Sequence, residues 1–339
     1  MASSHPDLIV ARPEGLYCPA GDFYIDPWRP VERAVITHGH SDHARWGHRH
    51  YLAHADSAGI LRQRLGAEIA LQTLNYGEAI DHRGVRLSLH PAGHVLGSAQ
   101  VRVEHAGRVW VASGDYKTEA DGTCAPFEPV PCHGFITEST FGLPVYRWPP
   151  QAESVAQIRQ WWAHNAAQGR ASVLLCYALG KAQRLLHALR EADVGPLVVH
   201  GALEPMNAVY RAAGVALPPT ARATDLEPSA LRRALVLAPP SAQGSPWLRR
   251  FGPDAQLALA SGWMQVRGMR RRRGVDRGFV LSDHADWPGL LQAIEATGAQ
   301  QVRVTHGHVA VMVRWLQAQG LDAQSLQTEY GDEREEAPA

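Results

Sequence analysis

Thr37-His38-Gly39-His40-Ser41-Asp42-His43 follows directly on the apolar run Ala34–Ile36. Four side chains able to hold a metal fall within these few residues, at what reads as a strand end. A tight loop there can aim alternate side chains at one point, and imidazole with carboxylate suits zinc and neighbouring first-row ions. One such loop cannot close two metal sites, so further ligands are expected at later strand ends. Three residues stand in the right context. His94 lies in the Gly-flanked turn Pro91-Ala92-Gly93-His94-Val95-Leu96-Gly97, Asp115 follows Val109–Ala112, and His306 follows Val302–Val304. His308, two residues on, competes with His306 for the role. His48, His50 and His54 crowd the first loop and read as surface residues or supports.

Outward from this loop the first third of the chain alternates short apolar runs with tight turns: Leu8–Val10, Phe23–Ile25, Val85–Leu89, Val101–Glu104 and Val109–Ala112, punctuated by Gly21, Gly84 and Gly107. A helix is expected over Asp56–Leu65. The rhythm changes near Val145, and Trp148-Pro149-Pro150 marks a boundary. Helices over Glu153–Ala167 and Ala182–Ala192 then alternate with buried-type strands at Ser172–Ala178, Leu197–His200, Leu235–Ala238 and Leu257–Ser261. That alternation implies a parallel sheet covered on both faces. After Gly274, strands return at Gly278–Ser282 and Gln301–Thr305, with a helix over Val309–Gln319. The acidic tail, 333–339, is expected to fray.

Composition narrows the class. The chain has 339 residues, 45% hydrophobic, with Lys+Arg and Asp+Glu both 33, so wholesale electrostatic coating of nucleic acid is disfavoured while a local basic groove is not. Lys117 and Lys181 are the only lysines, which leaves arginine forks to meet phosphate oxygens. The four cysteines lack C-x-x-C spacing, no signal pattern opens the chain, and no apolar run reaches membrane length. Reduced thiols and a cytoplasmic location are expected, with no membrane partner.

These stretches, in order, resemble the metallo-β-lactamase fold. The first loop resembles its H-x-H-x-D-H signature, and Asp26 in Phe23-Tyr24-Ile25-Asp26-Pro27 resembles the aspartate that orients that loop. Ile136-Thr137-Glu138-Ser139-Thr140-Phe141-Gly142, Val280-Leu281-Ser282-Asp283-His284-Ala285-Asp286 and Thr305-His306-Gly307 resemble motifs A, B and C of the nucleic-acid-directed β-CASP branch. Tyr17–His43 and Gly278–Leu290 look most like the bacterial ligase-associated DNA exonucleases. The resemblance implies an α/β fold: an αββα sandwich (α+β by some schemes) over 1–144 and 275–332, with an inserted β-CASP α/β domain over 145–274.

It also implies roles. His38, His40 and His94 would hold one divalent ion (Zn²⁺ or Mn²⁺), Asp42, His43 and His306 a second, and Asp115 would bridge the two. Phosphodiester hydrolysis by a metal-bridged hydroxide would follow. His284 would serve as general acid or phosphate-oxygen donor, oriented by Glu138, while Asp26 would support the ligands without touching metal. The expected function is a DNA exonuclease in end processing during DNA repair. Single-stranded or duplex DNA ends, or RNA, would be bound, and an ATP-dependent DNA ligase and a helicase would be functional partners.

Arg270, Arg271, Arg272 and Arg273 concentrate charge just before motif B and are expected to contact phosphates. Lys181 follows Gly180 at a strand-to-helix turn, where helix N-terminal amides favour anions, although no Walker motif surrounds it. Trp28, Trp46, Tyr116, Phe141, Trp148 and Trp263 lie near motifs, either to stack on bases or to pack. Two other activities share this pattern. An RNA-processing β-CASP ribonuclease is favoured by histidine in motif C, where Artemis-type DNA nucleases carry valine. A small-molecule thioester hydrolase is disfavoured by the insertion, Glu138 and His284. A non-catalytic scaffold is disfavoured by the complete set of ligand types.

Overall fold

The computed structural model describes residues 6–329, and of Arg270 the backbone only. The tail expected to fray lies outside the described residues. The chain divides into two compact units. The first takes the described residues up to Ala120, then Cys124–Tyr146, then those from His284 on; the second takes Asp121–Thr123 and Arg147–Asp283.

In the first unit the chain runs through β1 (Val10–Arg12), β2 (Gly15–Cys18), β3 (Phe23–Ile25), β4 (Arg33–Val35), β5 (His50–His54), α1 (Ala58–Leu65) and β6 (Leu71–Leu74). It continues through β7 (Ala79–His82), β8 (Val85–Pro91), β9 (Ala99–His105), β10 (Arg108–Ala112) and β11 (Gly134–Ser139). The second unit contributes α2 (Gln151–Ala167), β12 (Ser172–Leu175), α3 (Lys181–Ala188), β13 (Leu197–Val199), α4 (Glu204–Ala212) and α5 (Pro228–Leu231). It adds β14 (Leu235–Ala238), β15 (Gln256–Ala260), α6 (Arg267–Arg272) and β16 (Arg277–Phe279) before the first unit resumes. The chain returns there with α7 (Trp287–Thr297), β17 (Gln301–Gly307), α8 (Val309–Ala318) and β18 (Asp322–Ser325).

Strands β1 to β6 form one sheet in chain order, and β18-β17-β11-β10-β9-β8-β7 form a second. Side chains alternate between the two faces of each strand. Trp110, Ala112 and Ile136 therefore enter a core shared with Phe23, Ile25 and Val35 of the first sheet. Val111 and Phe135, one residue out of phase, pack instead with Val302 and Val304 under Leu290, Ile294, Met312 and Leu316 of α7 and α8. On the first sheet's outer face Ile36 and Ala53 pack with Leu61 of α1. The layers are helix, sheet, sheet, helix, as expected from the sequence.

The second unit is a parallel sheet in the order β13-β14-β12-β15-β16. Leu174, Leu237 and Ala258 face one core and Val173, Val236 and Leu259 the other. Burial on both faces is why these strands read as unbroken apolar runs. One element differs from the expectation. The strand expected at Gly278–Ser282, beyond a boundary at Gly274, is β16, and it pairs in parallel with β15. The chain thus stays in the second unit as far as Asp283.

Lys181 also departs from its expected role as a phosphate contact. It is buried, with Nζ 3.2 Å from Asp283 Oδ2. Arg184, one turn along α3, places Nη1 2.7 Å from Asp283 Oδ1 and Nε 3.3 Å from Asp121 Oδ2. The Lys181 charge is neutralised inside the unit rather than presented to an anion. Removing one cation from such a group leaves buried carboxylates uncompensated. Arg184→Met should therefore lower the second unit's unfolding free energy by about 3–5 kcal/mol in urea titration; an unchanged midpoint would refute the assigned burial.

Candidate metal centre

The support begins at Asp26, just past β3, in a left-handed backbone conformation (φ 44°) that a non-glycine residue adopts only when its surroundings hold it there. Its Oδ1 accepts the Thr37 N–H at 2.7 Å and its Oδ2 accepts the Thr37 hydroxyl at 2.5 Å. Oδ2 also lies 2.7 Å from His43 Nδ1. In its neutral form, with the Nδ1 proton donated to Asp26, His43 presents a bare Nε2 to the interior. That atom is 3.3 Å from Asp115 Oδ2 and 3.7 Å from Asp42 Oδ2. One carboxylate therefore sets both the start of the His-rich loop and the tautomer of its last histidine.

Two groups of donor atoms converge, the members of each within 4.8 Å of one another: His38, His40, His94 and Asp115 in one, Asp42, His43 and His306 in the other. His38 Nε2 and His94 Nε2 lie 3.2 and 3.0 Å from His40 Nδ1. Asp115 Oδ2 is 3.5 Å from His38 Nε2 and, as noted, 3.3 Å from His43 Nε2. It thus faces both groups. Among the described residues, Asp42 Oδ1 and His43 Nε2 are buried atoms that make no hydrogen bond. Leaving such atoms unmet costs about 1–3 kcal/mol each. Lone pairs of imidazole and carboxylate aimed at shared points are what divalent ions of the zinc or manganese kind require, so the residues fit a metal centre.

Charge coupling follows the same geometry. Burial and the neighbouring imidazoles of His43 and His94 hold His38 well below its ordinary range. Burial opposes a charge on His43, but Asp115, Asp42 and Asp26 outweigh it and raise that imidazole well above its ordinary range. Burial likewise opposes ionisation of Asp115, and His43 foremost overcomes it, holding the carboxylate well below its ordinary range.

Backbone features bring the later ligands in. Gly114 has φ 57°, and a Cβ there would lie 2.6 Å from Thr37 Oγ1, so only glycine lets the Asp115 turn close onto the first loop. His306, at the end of β17, is itself left-handed (φ 53°). Gly307 beside it would put a Cβ 2.4 Å from Ser139 O. His306, and not His308, joins Asp42 and His43; His308 instead caps α8, its N–H donating to Ser139 O at 2.9 Å.

Glu138, buried in β11, lies between His284 and the backbone. Its Oε1 accepts the Tyr116 N–H at 2.8 Å, its Oε2 accepts the Thr140 hydroxyl, and His284 Nδ1 stands 2.8 Å from Oε2. The His284 ring is 4.7 Å from that of His94, and Asp115, Glu138 and His284 form a third convergent group. Thr37, Thr140 and the Tyr116 amide carry support that sequence reasoning did not assign. The only signal for them was their position beside Asp115, Glu138 and His38.

Other expected contacts lie elsewhere. Arg271 and Arg272 are exposed and Arg273 partly so, in the second unit and outside every convergent group; the Arg270 side chain is not among the described residues. Tyr116 and Phe141 are buried and pack, whereas Trp46 is 78% exposed.

No family model matches the chain. A probable DNA ligase of Opitutus terrae is 33% identical over 314 residues, 92% of this chain and 30% of that protein. Endoribonuclease YSH1 of Saccharomyces cerevisiae is 31% identical over 123 residues, 36% of this chain and 16% of that protein. Cleavage and polyadenylation specificity factor 73 of Drosophila melanogaster is 30% identical over 171 residues, 47% of this chain and 24% of that protein. The chain thus spans under a third of the length of each of these relatives. Among solved structures, a protein of unknown function from Enterococcus faecalis V583 shares the fold, with a TM-score of 0.57 at 12% identity over 88% of this chain and 80% of that one.

The loop continues past His43 in a fixed form. The Tyr51 hydroxyl donates to Arg45 O at 3.0 Å and accepts the His48 N–H at 3.1 Å. His48 Nδ1 accepts the Val31 N–H at 3.3 Å, a bond that a protonated ring cannot accept.

Two outcomes follow. Asp26→Ala should weaken retention of bound Zn²⁺ or Mn²⁺ by about 10–100-fold in chelator competition, and unaltered retention would remove Asp26 from the support. Burial lowers His48 from 6.5 to about 4. Its contribution to stability is complete above pH 6.5 and is lost as pH falls through that window towards 4. Unfolding titrations of His48→Gln between pH 7 and pH 4 should accordingly show a shallower acid loss than the parent chain. Equal slopes would mean that His48 titrates normally.

Proposed function

We propose that this chain is a metal-dependent phosphodiesterase of the metallo-β-lactamase and β-CASP kind that cleaves nucleic acid strands, and that it acts as a DNA exonuclease. The observation that carries the reading is the convergence of two ligand groups on Asp115, with the His284–Glu138 pair beside them. The names of the two nuclease relatives that match part of the chain support cleavage of nucleic acid. The ligase name of the relative matched over 92% of the chain supports DNA as substrate and a DNA ligase as functional partner. The helicase expected as a partner draws no support from these relatives. Cys18, Cys124, Cys132 and Cys176 are free thiols. No described helix is long and apolar enough to cross a membrane.

Divalent ions bound there supply Lewis acidity towards phosphate oxygens and lower the pKa of a water that they hold. The chain's own residues do the rest. His38, His40 and His94 would hold one ion, Asp42, His43 and His306 the other, and Asp115 would face both. Asp26 keeps the His43 Nδ1 proton, so that Nε2 stays a ligand. Glu138 binds His284 at Nδ1, which leaves Nε2 to hand a proton to the departing sugar oxygen or to donate to a phosphate oxygen. Thr140 and the Tyr116 amide hold Glu138 in turn. Exposed Arg271 and Arg272 remain part of this reading as phosphate contacts.

End-labelled single-stranded DNA and RNA of one sequence, incubated with protein reloaded with Mn²⁺ or Zn²⁺, test the proposal. DNA shortened progressively from one end is the expected result, with His284→Ala slowing it by about 10²–10⁴-fold. Cleavage of RNA alone would replace the DNA assignment by a ribonuclease. Hydrolysis of a thioester with neither nucleic acid cut would overturn the reading.

A further inference from the structure

Trp46 lies three residues beyond His43 and is 78% exposed. An indole left in water loses the burial that ordinarily places Trp inside, and an exposed aromatic on a fixed support is a contact surface. Here the support is fixed on both sides. The Tyr51 hydroxyl ties the Arg45 carbonyl to the His48 amide across Trp46, and Tyr51 is itself buried. The Arg49 N–H adds a bond to Val31 O at 3.0 Å, and His48 Nδ1 holds the Val31 N–H. The indole is therefore presented by a turn with little freedom left to lose.

Positive charge accompanies it. Arg45 is half-buried beside Trp46, and Arg64, also half-buried, donates from its Nη1 to the Gly39 carbonyl within the ligand loop. One guanidinium anchored on the His-rich loop and a second carried by the residue beside Trp46 offer forks of the kind that meet phosphate oxygens.

We propose that Trp46 is a stacking platform for an unpaired base of a nucleic acid strand, with Arg45 and Arg64 meeting the adjoining phosphate. This rests on the nuclease reading above and names how that substrate is held. A base offers its flat face whatever its sugar, so the platform takes a single strand of DNA or RNA alike. It has no grip on a fully paired duplex, whose bases are already stacked.

The test is binding, read apart from cleavage. Fluorescein-labelled oligo(dT) and oligo(rU) are titrated with metal-stripped protein and anisotropy is followed, alongside an abasic oligonucleotide of equal length and charge. Trp46→Ala should weaken binding to both base-bearing strands by about 5–100-fold, and Trp46→Phe should restore most of it. Trp46→Ala should leave binding to the abasic strand unchanged, and Arg45→Gln should make binding less dependent on salt. Exposure of Trp46 makes folding of its variants a minor concern, which circular dichroism checks. Equal losses on abasic and base-bearing strands, or no loss on either, would overturn the platform and return Trp46 to a protein-contact role. Trp46-dependent binding with no cleavage by the protein reloaded with Mn²⁺ or Zn²⁺ would sink the nuclease reading and leave the platform standing, whereas cleavage by the reloaded protein with Trp46-independent binding would do the reverse.

Discussion

Much of this structure turns on a crowd of lone pairs. Ring nitrogens of His38, His40, His94 and His43 face one another and the Asp115 carboxylate across 3.0–3.9 Å, in a buried space. Without positive charge such an arrangement is unfavourable, because acceptors repel and burial removes the water that would separate them. Only a scaffold stable for other reasons can hold it. The two sheets provide that scaffold, and the convergent residues sit at strand ends or in turns between strands. The strain is local: Asp26 and His306 carry left-handed backbone where glycine would be at ease, and Gly114 and Gly307 allow approaches that a Cβ would block.

The residues of the convergent groups were legible in the sequence because their grammar is local. An apolar run followed by a histidine or aspartate next to glycine marks a strand end with a side chain delivered there, and this form recurs at His38, Asp115 and His306. The sandwich was legible for a similar reason, since alternation in β10 and β11 splits Trp110 and Ile136 from Val111 and Phe135. What resisted reading depends on long-range pairing. Gly278-Phe279 looks like the start of the returning sandwich until it pairs with β15. Lys181 looks like an anion contact until Asp283, about a hundred positions later, closes on it. Nothing near either residue carries that information.

The division of the chain into two units sharpens the same point. All seven ligand-type residues, together with Asp26, Glu138 and His284, belong to the first unit. The second unit ends at Asp283, whose carboxylate is bound by Lys181 and Arg184. The residue directly after it is His284. A buried ion group therefore fixes one end of the peptide whose other end is held through Glu138.

Substrate identity has to be read by something other than the ligands. Groups that bind cations and phosphate oxygens meet features that DNA and RNA share, and phosphate contacts carry position rather than identity. His306 stands with Asp42 and His43 in one such convergent group. An exposed indole is equally blind to the sugar, but it does distinguish an unstacked base from a stacked one. Were strand state sensed at Trp46 and cleavage carried out around Asp115, as proposed, preference for a frayed or single-stranded end would arise from the contact surface, and the geometry of the convergent groups would be left free to serve either sugar.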